Sequence, residues 1–174
     1  MDSNLKIDLM DLPKETLVDI IKMYSKNVLA VDGLWFLECE KRYGIEKAIE
    51  IDTEVWGAYG SIEAARIKET LKIEGHGIPA LVKALNFQIW LPCMEFEFAE
   101  ITDKSLIFNV TKCRPQQTRI RKEMGEFACK PVGVALFEVF ARGINPNMTC
   151  KCLVCPPDKH SGNLWCSWLF EIHD

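Results

Sequence analysis

The sequence predicts an α+β fold: an N-terminal helical part, then an antiparallel sheet packed with helices, with metal-binding cysteines in the C-terminal half. Three observations lead there. Apolar residues recur at helical spacing through most of residues 1–92. Met94-Glu95-Phe96-Glu97-Phe98 alternates apolar and acidic, the period of a half-exposed strand. Thr149–Val154 and Leu164–Ile172 read as a closing strand pair around a Pro-Pro-Asp turn.

Taken in order, Leu12-Pro13-Lys14-Glu15 opens the first helix, with Pro13 in its first turn, where a missing N–H costs nothing. Leu17, Ile20, Ile21, Tyr24 and Val28 continue it. Asp32-Gly33 is expected to interrupt it, and Leu34–Tyr43 to resume until Gly44. Ile45–Ile73 is the next helical stretch, with Ile45, Ala48, Ile49, Val55, Trp56, Tyr59, Ile62, Ala65, Ile67 and Leu71 as candidate buried positions. Gly57 and Gly60 are expected to bend or split it. Gly75-His76-Gly77 breaks the pattern, and Ile78–Trp90 forms a further helix ended near Pro92. After the alternating strand, Thr102-Asp103-Lys104 turns the chain into a partner strand, Ser105–Val110. Pro115–Met124 reads as a polar helix and Pro131–Ala141 as an apolar one. The chain divides into a helical region, 1–92, and a cysteine-rich α/β region, 93–174, expected to form one compact domain.

Composition narrows the function. The chain has 174 residues, 48% of them hydrophobic, which is enough for one core and too little for two full enzyme domains. With 21 Lys+Arg against 25 Asp+Glu the net charge is −4, which argues against a nucleic-acid-coating protein. The opening residues lack a basic stretch followed by an apolar one, so no secretory leader is expected, and no apolar run approaches a membrane span. A cytoplasmic protein with a small-molecule ligand is the expectation, without membrane or nucleic-acid partners and compatible with a homodimer.

Eight cysteines stand beside three histidines. In a reducing compartment, clustered thiols point to metal or catalysis before disulfides. Cys39 and Cys93 stand alone and read as packing residues. Cys152 and Cys155 form a CxxC whose spacing lets two thiolates bind one ion from a tight turn. Cys113, Cys129, Cys166 and His160 are the candidates for the remaining ligands. Cys150, read as facing the opposite side of its strand from Cys152, is left out. Zinc is the first expectation and an iron–sulfur cluster the alternative. A thiol redox reading ranks lower, because Pro156-Pro157 prevents a helix from starting at the motif.

Residues 112–130 hold Lys112, Arg114, Arg119, Arg121, Lys122 and Lys130 against Glu123 and Glu126, in an otherwise acidic chain. Arg114 and Arg119 are candidates for holding a ligand carboxylate. Asp32-Gly33-Leu34-Trp35-Phe36, with Glu38 and Glu63, is expected to line a pocket between the helices and the sheet. Trp35, Trp56 and Trp90 would be its apolar wall, and Asp158 or His160 its proton carrier.

Several segments carry a resemblance: Leu12-Pro13-Lys14-Glu15, Asp32 to Phe36, Cys113-Arg114, Cys129-Lys130-Pro131-Val132-Gly133, Cys152-x-x-Cys155-Pro-Pro-Asp158-x-His160 and Cys166-x-Trp168. Together they resemble an uncharacterised bacterial and archaeal family placed near the L-2-amino-thiazoline-4-carboxylic acid hydrolases. The relation to those hydrolases implies cleavage of a C–N bond in a small, carboxylated, thiazoline-like ring. The C-terminal part looks like the four-vinyl-reductase small-molecule-binding domain, which implies a ligand pocket with a structural zinc. The chain is thus expected to be a metal-binding protein with a small-molecule pocket. It would be a hydrolase if the metal keeps an open position, and otherwise a sensor or carrier.

Overall fold

A computed structural model describes residues 6–173; the first residues of the segment read for a leader lie outside that range. Five helices and four strands follow in the order α1 (Lys14–Tyr43), α2 (Ile45–Leu71), α3 (Ile78–Leu85), β1 (Glu95–Ala99), β2 (Ser105–Lys112), α4 (Arg114–Arg121), α5 (Lys130–Ile144), β3 (Met148–Val154) and β4 (Cys166–Ile172). The fold is α+β.

The strands form one antiparallel sheet in the order β1-β2-β4-β3. Side chains alternate between its faces. Phe96, Phe98, Leu106, Phe108, Val110, Trp168 and Phe170 share the inner face, as the pairs Phe96–Val110, Phe98–Phe108, Phe108–Trp168 and Leu106–Phe170 require. The outer face is polar: Asn109 donates to Glu97 at 3.1 Å and accepts from the Ser167 hydroxyl at 2.7 Å. Helix α5 covers the inner face with Phe137, Phe140 and Ile144, and its other side packs on α2. One core runs from Ala64 and Ile67 on α2 to Phe170 on β4, so both halves of the chain contribute to it.

Four sequence expectations need correction. Helix α1 is continuous through Asp32-Gly33. A helical Gly costs only about 1 kcal/mol, and Asp32 is tied to the neighbouring helix by the Trp56 indole N–H, 3.1 Å away. Helix α2 is not split at Gly57 and Gly60; these glycines let α5 approach. A Cβ on Gly60 would lie 2.6 Å from Val139 Cγ2 and 2.8 Å from the Leu136 carbonyl oxygen. Of the positions expected to be buried on α2, Ala48 and Ile67 are, whereas Ile45, Val55, Ile62 and Ala65 are exposed. Helix α3 ends at Leu85, and a short 3-10 turn, Leu91–Cys93, leads into β1. No described helix is long and apolar enough to cross a membrane.

Candidate functional site

A cavity of about 470 Å³ lies between α1, α2 and the sheet, with α4 and the start of α5 along its side. Leu29, Phe36, Trp56, Trp90, Leu136 and Trp168 give it apolar walls. The pocket expected from Asp32 to Phe36 therefore exists and contains Asp32, Gly33, Leu34 and Phe36. Trp35 is not part of it: its side chain points to solvent and is 71% exposed. Glu38 and Glu63 are also absent from the lining. Glu63 is buried instead under α3, accepting from the Ile89 N–H at 2.6 Å.

Four cysteines from four different places in the chain line this cavity: Cys113, Cys129, Cys155 and Cys166. Cys113 and Cys129 are the N-cap residues of α4 and α5. Cys155 follows β3, and Cys166 opens β4 opposite Val110. The Lys130 N–H donates to the Pro156 carbonyl at 3.0 Å, which joins the start of α5 to the loop after β3. That link sets Cys129 beside Cys155, with Sγ atoms 3.5 Å apart.

Their surroundings differentiate the thiols. The Cys129 thiol is held below its ordinary range by a hydrogen bond from Cys155 and another from the Gln116 amide, against the opposing effect of burial. A position at a helix N-terminus acts in the same direction. Gln116 is fully buried; its amide nitrogen donates to Cys129 Sγ at 3.2 Å and to the Phe127 carbonyl at 2.8 Å, while its oxygen accepts from the Phe127 N–H at 3.1 Å. Cys155 is driven far upward by its hydrogen bonds to Cys129 and Cys166 and by burial, so it keeps its proton. Cys113 is also pushed up, chiefly by burial.

The remaining predicted ligands lie elsewhere. Cys152 is on β3 opposite Trp168, and the strand is bulged just after it, so the CxxC does not act as one tight turn. Burial raises its thiol to about 11, and it is absent from the cavity lining. Cys150, read as facing away from Cys152, shares its face instead, because residues two apart on a strand point the same way. His160 stacks on Trp165 with ring centroids 4.9 Å apart and meets Glu126 at 3.1 Å, outside the cavity. The Glu126 carboxylate raises its pKa. Asp158 also lies outside: it pairs with Lys130 at 2.8 Å and accepts from the Cys155 N–H at 3.2 Å, so it positions a thiol rather than facing a ligand. Among the described residues, no group of three or more His, Cys, Asp or Glu side chains is already set in metal-holding geometry.

Arg114 and Arg119 both reach the cavity lining, but only one is available. Arg119 makes a two-pronged ion pair with Glu40, at 2.7 and 3.1 Å, over the packed rings of Phe36 and Phe127. Its guanidinium is committed to holding α4 against α1. Arg114 is exposed at the cavity.

Facing the same cavity are two carboxyls, Asp32 on α1 and Asp52 on α2. Burial, and then the charge of Asp32, lift Asp52 to about 7, against a lowering hydrogen bond from Trp56. Asp32 is also raised, by burial. Sequence reading missed Asp52 and Gln116. The signal for Asp52 was its position one helical turn before Trp56; Gln116 had no linear signal. Two tryptophans of the wall, Trp90 and Trp168, bury indole N–H groups that have no partner among the described residues.

Residues 10–172 match the model of a family of unknown function, DUF6125. The chain belongs to that family. No curated protein matches it, and no solved structure does. These comparisons therefore lend no support to a relation with thiazoline hydrolases or the four-vinyl-reductase domain. What this DUF6125 chain offers is its own geometry: an apolar cavity lined by four thiols and two carboxyls.

Proposed function

We propose that this DUF6125 chain is a small-molecule-binding protein whose cavity thiols hold a soft metal ion, zinc by preference. The observation that carries the reading is that Cys113, Cys129, Cys155 and Cys166, from four separate places in the chain, all line one cavity. Four thiolates suit zinc or an iron–sulfur cluster. The 3.5 Å between the sulfurs of Cys129 and Cys155 is near the roughly 3.8 Å edge of a tetrahedron built with Zn–S bonds of about 2.3 Å. Binding would require the Cys113 and Cys166 side chains to turn toward that pair, since the four are not grouped around one centre among the described residues. The Gln116 amide would then donate to a ligating sulfur and fix its orientation. The ligand set is thus four cysteines, without Cys152 or His160.

Four protein ligands close the coordination shell, which favours a sensor or carrier over a hydrolase. The cavity would receive a small, largely apolar molecule among Trp56, Trp90 and Trp168, with Asp32, Asp52 and Arg114 as polar contacts. Hydrolysis is the second reading. It is favoured by Asp52, a carboxyl near neutral pKa facing the same space.

Metal analysis of tag-free protein, prepared anaerobically, tests the first part; about one equivalent of zinc is expected. Tryptophan fluorescence titrated with an uncharged aromatic probe such as 1-naphthol tests the second, with saturable quenching expected. Protein free of zinc and iron that also shows no saturable quenching would overturn the reading.

A further inference from the structure

Helix α1 is thirty residues long, yet Ser25 is its one buried residue. A helix so little buried by its own chain is short of the packing that normally stabilises helices. Its apolar residues follow a heptad. Leu17, Ile21, Tyr24, Val28, Val31 and Trp35 are spaced alternately four and three apart, the seam of a helix that packs along another helix. Leu17 and Val28 are half-buried, while Ile21, Tyr24, Val31 and Trp35 are 58–71% exposed. None of the six lines the cavity. The seam continues one step at each end, to Lys14 before Leu17 and to Glu38 after Trp35, both exposed.

We propose that two copies of this chain dimerise through α1, packed antiparallel along this seam. Charge decides the direction. In an antiparallel pair centred midway along the seam, Leu17 meets Trp35 of the second copy, Ile21 meets Val31 and Tyr24 meets Val28. The same register brings Lys14 against Glu38 at both ends. A parallel pair would set Lys14 against Lys14 and Glu38 against Glu38, which is repulsive. Among the described residues Glu38 pairs with Arg42, at 3.4 Å and in solvent, which leaves it open to a second cation.

The amount of surface fits a second copy. The seam is roughly 36 Å long at about 1.5 Å per residue. Val18 and Leu34, 47% and 65% exposed, meet each other across the same register and widen it, Leu34 being also a cavity-lining residue. At such exposures an apolar side chain of this size presents on the order of 100 Å². The strip therefore approaches the roughly 800 Å² per partner of a standard interface, and exceeds the few hundred Å² that monomers ordinarily leave bare.

Sedimentation velocity on the full chain at micromolar concentration is the test, with charge-reversal variants. The wild type is expected to sediment as a dimer, and Ile21→Glu with Val31→Glu as a monomer of unchanged helical content by circular dichroism. Lys14→Glu alone and Glu38→Lys alone are each expected to weaken the dimer about tenfold, by placing like charges at both ends. The double reversal restores it. A wild-type monomer overturns the proposal, as does a dimer indifferent to Ile21 and Val31. If the double reversal fails to restore what the single ones lose, the antiparallel register is wrong. Both charge positions are exposed, so these variants fold as the parent does.

Discussion

Cys129 and Cys155 lie 26 positions apart in sequence, and their sulfur atoms lie 3.5 Å apart in space. Neither belongs to a shared short motif. Their meeting depends on the hydrogen bond from Lys130 N–H to the Pro156 carbonyl, next to both cysteines. The pair is anchored further by Asp158, which accepts from the Cys155 N–H and pairs with Lys130.

This arrangement predicts which cysteines matter. If the cavity thiols hold a metal as proposed, Cys155→Ser and Cys129→Ser should lose it, with affinity lowered at least about tenfold. They should also lower the unfolding temperature, since ligation free energy is folding free energy. Cys152→Ser and His160→Ala, both outside the cavity, should keep about one equivalent. Elemental analysis after dialysis against a weak chelator distinguishes the groups. Retention of metal by Cys155→Ser would remove it from the ligand set.

Arg119 predicts a stability effect rather than a binding one. Its guanidinium forms two hydrogen bonds with Glu40, and the side chains are only 11% and 23% exposed. Arg119→Ala leaves Glu40 without its partner and should cost about 2–3 kcal/mol. Arg119→Lys should recover little, because a point charge cannot make the two-pronged contact or lie as a plane over the Phe36 and Phe127 rings. Urea unfolding measures both. A Lys variant as stable as wild type would show that charge alone matters.

Legibility in the sequence followed the range of the interactions. β1 was readable because Phe96 and Phe98 alternate with the exposed Glu95 and Glu97, and β2 because an apolar run follows the turn at Thr102-Asp103-Lys104, signals carried within a few positions. The glycines of α2 misled, because a local breaker is also the smallest residue for a helix contact, and only the α5 partner tells the two apart; Gly33 misled because one glycine costs a long helix little. The CxxC suggested a ligand pair from spacing alone, whereas of the two only Cys155 lines the cavity. Cys113, Cys129 and Cys166 were readable as candidates by residue type. Asp52 was not, because Asp32, whose charge helps to raise it, joins it only when α1 folds back along α2.

The glycines themselves give contrasting outcomes. A Cβ on Gly133 would lie 2.5 Å from Trp168 Cζ2 and Cη2, in a fully buried indole ring. Gly133→Ala should destabilise by about 1–3 kcal/mol through overpacking, and shift the ring that walls the cavity, changing tryptophan fluorescence. Gly33 sits inside α1, and a Cβ there would meet nothing within 4 Å. Gly33→Ala should stabilise by about 0.5–1 kcal/mol through helix propensity. Opposite signs are expected in the same thermal melts, and two changes of the same sign would mean that α1 or the cavity wall is packed differently.

Asp52 predicts how stability depends on pH. Burial and the neighbouring Asp32 lift its carboxyl to about 7 in the folded chain, whereas an unfolded Asp titrates near 3.9. Between those values the folded state keeps a proton that the unfolded state has released. Stability must therefore fall as pH rises through that window, and the contribution of Asp52 is gone once pH passes about 7. Asp32, also raised by burial, acts in the same direction. His160, raised by Glu126, adds a further loss on the alkaline side, so the wild-type curve alone does not isolate Asp52. The comparison with Asp52→Asn does, because that variant carries a neutral side chain of the same shape at every pH. Wild type should lose more thermal stability between pH 5 and pH 8 than Asp52→Asn, with the two differing least at pH 5. If the two curves run parallel, Asp52 is ionised across the whole range, and the cavity is wetter or more cationic around it than its position between α1 and α2 implies.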